Sequence, residues 1–150
     1  MKHNVIIMKI LSELGIRKKY KGIKYILTCI DYIERHENTF MPVTKILYVD
    51  VAKLHASSGD NVEQGIRRII ERIWDCKENS SLIYKIFHIT YEDTRPTNTE
   101  FLWALYEYVK WLDIQVNTGL FEVDFICPKC KEPCQFWRDI MINTVKEKTV

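Results

Sequence analysis

Apolar residues recur along the first part of the chain at three- and four-residue spacing, the signature of helices that bury one face. Ile6, Ile7, Ile10, Leu11 and Leu14 form the first such stripe, and Gly15 follows as a natural C-terminal stop. A basic connector, Arg17-Lys18-Lys19-Tyr20-Lys21-Gly22, leads to a second stripe of Ile23, Ile26, Leu27, Ile30 and Ile33, which fades around His36 to Thr39. Pro42 suits the first turn of a third helix, with Ile46, Leu47, Val51 and Leu54 on one face.

The turn Ala56-Ser57-Ser58-Gly59-Asp60 then interrupts the pattern, and a strongly amphipathic helix follows from Ser58 to Cys76. Ser58 is a good N-cap, and Asp60 places a negative charge in the first turn, where the helix dipole favours it. Val62, Ile66, Ile69 and Ile73 make one buried stripe. The opposite face carries Asn61, Gln64, Arg67, Arg68 and Glu71.

A shorter helix is expected from Ser81 to Phe87, then a loop from Tyr91 to Arg95 ending at Pro96. Thr97-Asn98-Thr99-Glu100 has the form of a capping box, the Thr bonding forward and the Glu reaching back. Phe101, Leu105, Tyr108 and Leu112 give a last helical stripe to about Ile114. Leu120-Phe121-Glu122-Val123-Asp124-Phe125-Ile126 alternates instead, as a short strand does. These elements predict an all-α domain over residues 1–114, a bundle of about six helices containing a helix-turn-helix. A C-terminal extension over 115–150 holds the strand and a cysteine cluster.

At 150 residues and 47% hydrophobic content, the chain has ample material for one core. No apolar run approaches the roughly 18 residues of a membrane span, and the short stretch from Val5 to Met8 lacks the features of a signal peptide. A cytoplasmic protein is expected. The net charge is only +2, but it is unevenly placed: residues 1–77 hold 14 Lys/Arg against 9 Asp/Glu, and residues 78–150 hold 8 against 11. A basic first half suits a polyanionic partner; ordinary surface charge is the bland alternative.

Two helices joined by a short turn, the second basic on one face, are what a major-groove reader requires. Arg67 can form a bidentate contact to guanine, because its planar fork matches two acceptors. Gln64 can pair with adenine, and Arg68 can reach a base or a phosphate. Ser57, Ser58 and Asn61 sit where helix-terminus contacts to phosphate are common. The competing explanation is a solvated face on a core helix.

The chain from Ile10 to Leu112 also resembles a known family. The features that carry the resemblance are Leu14-Gly15-Ile16, Lys21-Gly22 with Tyr25, Thr44-Lys45-Ile46-Leu47-Tyr48 and Ala52-Lys53. They continue with Val62-Glu63, Ile66-Arg67, Ile70-Glu71 and Trp74, then Pro96-Thr97-Asn98 with Glu100-Phe101. In this order they resemble the C-terminal DNA-binding effector domain of the sporulation initiation response regulator of Firmicutes. The resemblance implies about six helices, the third and fourth forming the DNA-binding motif, and tandem copies binding short guanine-containing promoter sites. It implies that Glu63, Gln64, Arg67 and Arg68 face double-stranded DNA, bound in tandem or as a homodimer.

Glu63 and Arg67 keep the family's residue type. Gln64 stands where the family has Arg, Arg68 where it has His, Gly65 where it has Ala, and Gly59 where it has Pro. An Arg–guanine pair contributes on the order of 1–3 kcal/mol of discrimination, so an altered target or weaker specificity is expected. The family's regulators also carry an N-terminal phosphorylated receiver, whereas the first helix here starts within a few residues of Met1. A stand-alone effector would be constitutively active, respond through its tail, or compete with a full-length regulator.

Cys127-Pro128-Lys129-Cys130 with Cys134 resembles half of a zinc knuckle: CxxC spacing lets two thiolates grip one tetrahedral ion. The cluster supplies three ligands, leaving the fourth to His88, His55, Cys76, Asp124 or a second chain. Reduced cysteines without metal are the alternative. Cys29 and Cys76 fall in helical patterns and read as core residues. His3, His36, His55 and His88 join no catalytic motif and no glycine-rich phosphate loop exists, so an enzyme is not expected. Trp103, Tyr106, Tyr108 and Trp111 are more than one buried face can hold; they pack under the tail or form a partner surface. The competing function is therefore a protein-interaction module that keeps the fold but has lost operator recognition, acting through the aromatic last helix and the cysteine tail.

Overall fold

The computed structural model describes residues 3–17, 19–36 and 45–118. Over these the chain is all-α, with six helices and no strand among the described residues. They are α1 (Asn4–Glu13), α2 (Lys21–Arg35), α3 (Lys45–Leu54), α4 (Gly59–Cys76), α5 (Ser80–Phe87) and α6 (Asn98–Thr118). The expected strand at 120–126 and the cysteines Cys127, Cys130 and Cys134 lie outside the described residues.

The helix ends follow local chemistry. Gly15 stops α1 in a left-handed conformation at φ 100°, which a side chain rarely adopts. Ser58 caps α4, its Oγ accepting from the Asn61 amide at 3.2 Å. Asn79 caps α5 through the Leu82 amide at 3.1 Å, one residue earlier than the apolar pattern suggests. At the start of α6 the capping box forms in both directions, Glu100 N donating to Thr97 Oγ1 at 3.2 Å and Thr97 N donating to Glu100 Oε2 at 3.4 Å. The helix then continues to Thr118, past the expected end near Ile114, where the apolar stripe thins.

One core runs through the bundle. Helix α2 lies at its centre, packing on α1, α3, α4 and α6, while α6 also covers α1, α4 and α5. The stripes Ile6/Ile7/Ile10/Leu11/Leu14 and Val62/Ile66/Ile69/Ile73 are buried as their spacing predicts. Cys29 is buried too, and burial pushes its thiol up to about 12, so it stays protonated. Cys76 is only half-buried, because it sits at the last turn of α4.

Helix α3 departs from expectation. Leu47 and Val51 are buried, but Ile46 is 64% and Leu54 72% exposed. Tyr48 and Ala52 are buried in their place. Packing against both α2 and α4 turns the buried sector toward Tyr48 and Ala52, which leaves Ile46 and Leu54 on the outer side.

Candidate nucleic-acid interface

Helices α3 and α4 form the expected helix-turn-helix, and the turn between them is tied by its own backbone. His55 N and Ser57 N both donate to Ala52 O, at 3.1 and 2.9 Å. Ala56 adopts a left-handed φ of 49°, a conformation uncommon outside glycine, asparagine and aspartate. The chain thereby reverses within four residues and enters α4 at the extended Ser58.

Helix α2 holds this turn from behind. The Tyr25 hydroxyl donates to Ser57 Oγ at 3.0 Å, and Asn61 Nδ2 donates to the same oxygen at 3.3 Å. Thr28 Oγ1 donates to Lys24 O at 2.9 Å and lies 2.7 Å from His55 Nε2. Because that hydroxyl hydrogen is directed at Lys24, the imidazole fits as the donor to Thr28. The Tyr25 and His55 rings meet edge to face at 5.4 Å. Partial burial, and secondarily the Lys24 charge, hold His55 below its ordinary pKa. A neutral imidazole is therefore part of the turn. Among the described residues no three or more His, Cys, Asp and Glu side chains come together as metal ligands would.

The proposed contact residues then fall into distinct roles. Gln64, Arg67 and Arg68 are exposed, as is Asn61, and they share the side of α4 opposite the buried isoleucines. Neither arginine forms an ion pair among the described residues. Arg67 lies near the buried Tyr48 phenol, whose pKa is held up by burial, the Asn98 side chain opposing that rise only in part. Ser58 is exposed, with its oxygen engaged as the cap; Ser57 is half-buried as the shared acceptor of Tyr25 and Asn61. Glu63 sits at the margin of the outward face, half-buried, and its backbone carbonyl accepts from Asn98 Nδ2 at 2.9 Å.

That last bond joins the recognition helix to the start of α6, across 35 residues of sequence. Asn98 is buried, so α6 is fastened to α4 by a polar contact sheltered from water. Sequence reasoning missed this anchor, along with Tyr25, Thr28 and His55, since nothing local in the chain marks a hydrogen bond between distant helices. It also left out the exposed cations Lys24 and Lys53 beside the turn and Arg72 on the outward face. The excess of Lys and Arg in the first half was the only sign of them.

The sequence that builds this bundle matches a known family. The family model described as Sporulation initiation factor Spo0A C terminal matches residues 7–109. The chain belongs to this family. The Spo0A C-terminal family is one of DNA-binding regulator domains rather than enzymes, and the match spans the core from α1 into α6, including the whole helix-turn-helix. The cysteine-bearing extension lies beyond it. Among the described residues no helix is long and apolar enough to cross a membrane.

Proposed function

We propose that this chain is a sequence-specific transcription regulator whose α4 enters the major groove of double-stranded DNA. The observation that carries the reading is the outward row Asn61, Gln64, Arg67 and Arg68, presented on a helix whose entry turn is bonded to α2. Arg67 contacts guanine, Gln64 contacts adenine, and Arg68 reaches a base or a phosphate. Lys24, whose charge reaches His55, and Lys53, exposed and only 3.8 Å from Asp50, supply sequence-independent attraction to the backbone. Asp60, exposed, and Glu71, half-buried, lie on the outward side of α4 and oppose unselective binding to phosphate, which places weight on register.

Gln64 in place of the family's Arg exchanges a guanine reader for an adenine reader. The target is therefore a family-type box altered at one position, and the domain acts in the nucleoid of the cytoplasm on tandem or paired sites. Fluorescence anisotropy at two salt concentrations tests this. It compares a family-type box, the same box with adenine at each guanine in turn, and a scrambled duplex. One adenine variant should bind more tightly than the parent box, and Arg67→Ala should reduce that affinity by about tenfold or more. Equal binding to all duplexes would sink the reading.

A further inference from the structure

Away from the helix-turn-helix, an open groove of about 590 Å³ runs between α5 and α6. Tyr84, Phe87, His88, Ala104, Tyr108 and Trp111 line it, and none of its lining residues belongs to α3 or α4. Tyr84 is 59% exposed and Trp111 42%. The Tyr108 and Trp111 rings stack at 5.9 Å, forming a flat apolar wall. Ile114, 49% exposed, carries the apolar surface one turn further toward Thr118, where α6 ends. An exposed apolar surface of this kind, spanning two helices, is the sort that marks an interaction site.

We propose that its occupant is this chain's own extension, with Phe121, Val123 and Phe125 lying in the groove. In an extended segment alternate residues share a face, so these three apolar side chains fall on one side and Glu122 and Asp124 on the other. In this arrangement the apolar side of the segment faces the groove wall of α5 and α6. Reach is sufficient. Trp111 precedes the end of α6 by seven residues, about 10 Å of helix. Residues 120–126 extended span about 23 Å, enough to turn back along α6 and fill the groove. The groove wall carries one charge of each sign, Lys85 and Glu107, so the apolar side chains rather than charge drive the docking.

Tethering decides against a second copy of the chain as occupant. A segment joined through a short connection has an effective concentration in the millimolar range, far above that of separate chains in solution. The extension is then a strap over the α5–α6 flank, and the DNA-reading face stays open.

Photocrosslinking of the full-length protein tests the strap. A benzophenone amino acid replaces Tyr84, and a control protein carries it at Gln64 on the outward face of α4. At position 84 we expect a cross-link within one chain to a peptide from residues 119–150, and at position 64 none. Phe121→Asp with Phe125→Asp should lower the yield at position 84 by about tenfold or more, because two apolar anchors are lost together. Circular dichroism verifies that the helices persist in that variant; should they not, Phe121→Ala with Phe125→Ala gives the same readout. Cross-links joining two chains, equal yields at positions 64 and 84, or a yield indifferent to both substitutions would overturn the proposal.

Discussion

Gly22 and Gly65 meet backbone to backbone where α2 crosses α4. A Cβ on Gly22 would run into the Gly65 carbonyl oxygen, and a Cβ on Gly65 would stand 3.4 Å from the Gly22 Cα and 2.9 Å from Tyr25 Cδ2. The two positions differ in what must yield. At Gly22 the obstacle is a helix backbone; at Gly65 it is mainly an aromatic ring. Gly22→Ala should therefore cost about 3 kcal/mol or more of stability, at the upper end of overpacking. Gly65→Ala gains about 1 kcal/mol of helix propensity, which offsets much of the cost of displacing Tyr25, so its net effect should stay within about 1 kcal/mol. Urea denaturation of both variants measures the contrast, and a Gly22→Ala protein as stable as the parent would contradict the crossing.

Tyr25 couples that crossing to the turn. Tyr25→Phe keeps the ring and removes only the hydrogen bond to Ser57, so stability should fall by about 0.5–1.5 kcal/mol. DNA affinity should fall with it, since Ser57 also receives Asn61 at the start of the recognition helix. Paired melting and anisotropy measurements read both effects. A stability loss with unchanged DNA affinity would mean that the bond is purely structural.

Asn98 provides a second handle on α4 without touching its outward face. Asn98→Ala removes a buried donor from the Glu63 carbonyl and should cost about 1–3 kcal/mol in chemical denaturation. Asn98→Asp should be worse at neutral pH, because a buried carboxylate would oppose a carbonyl oxygen, and should recover toward the Ala value as the medium is acidified.

Lys24 and Lys53 contribute to binding in a different way from Arg67. Lys24→Ala and Lys53→Ala should each weaken binding to all duplexes alike and reduce the slope of log affinity against log salt by about one. Arg67→Ala should change the ranking of duplexes instead. A lysine substitution that altered the ranking would move Lys24 or Lys53 into the base-reading set.

His55 predicts a pH effect whose sign follows from its lowered pKa. A histidine held below its ordinary value stabilises the fold fully at pH values above about 6.5, and that contribution declines as acidification charges the unfolded chain less unfavourably than the folded one. The melting temperature should drop between pH 7 and pH 5, and His55→Gln should show a shallower drop over the same window. Equal slopes would remove His55 from the stabilising set.

Much of this protein is determined by periodicity alone. The stripes of α1, α2 and α4, the Ser58 cap and the Thr97–Glu100 capping box are local, each set by residues within a few positions of one another, so the chain displays them without its fold. The row Asn61, Gln64, Arg67 and Arg68 is legible for the same reason: a helix that buries one face must expose the other. Tertiary structure decided what local spacing cannot express. Packing of α3 between two helices turned Tyr48 and Ala52 inward and Ile46 and Leu54 outward. The Gly22–Gly65 crossing, the Tyr25–Ser57 and Asn98–Glu63 bonds and the aromatic groove between α5 and α6 join residues remote in sequence. Such contacts depend on how helices approach one another, and that approach is a property of the whole packed core.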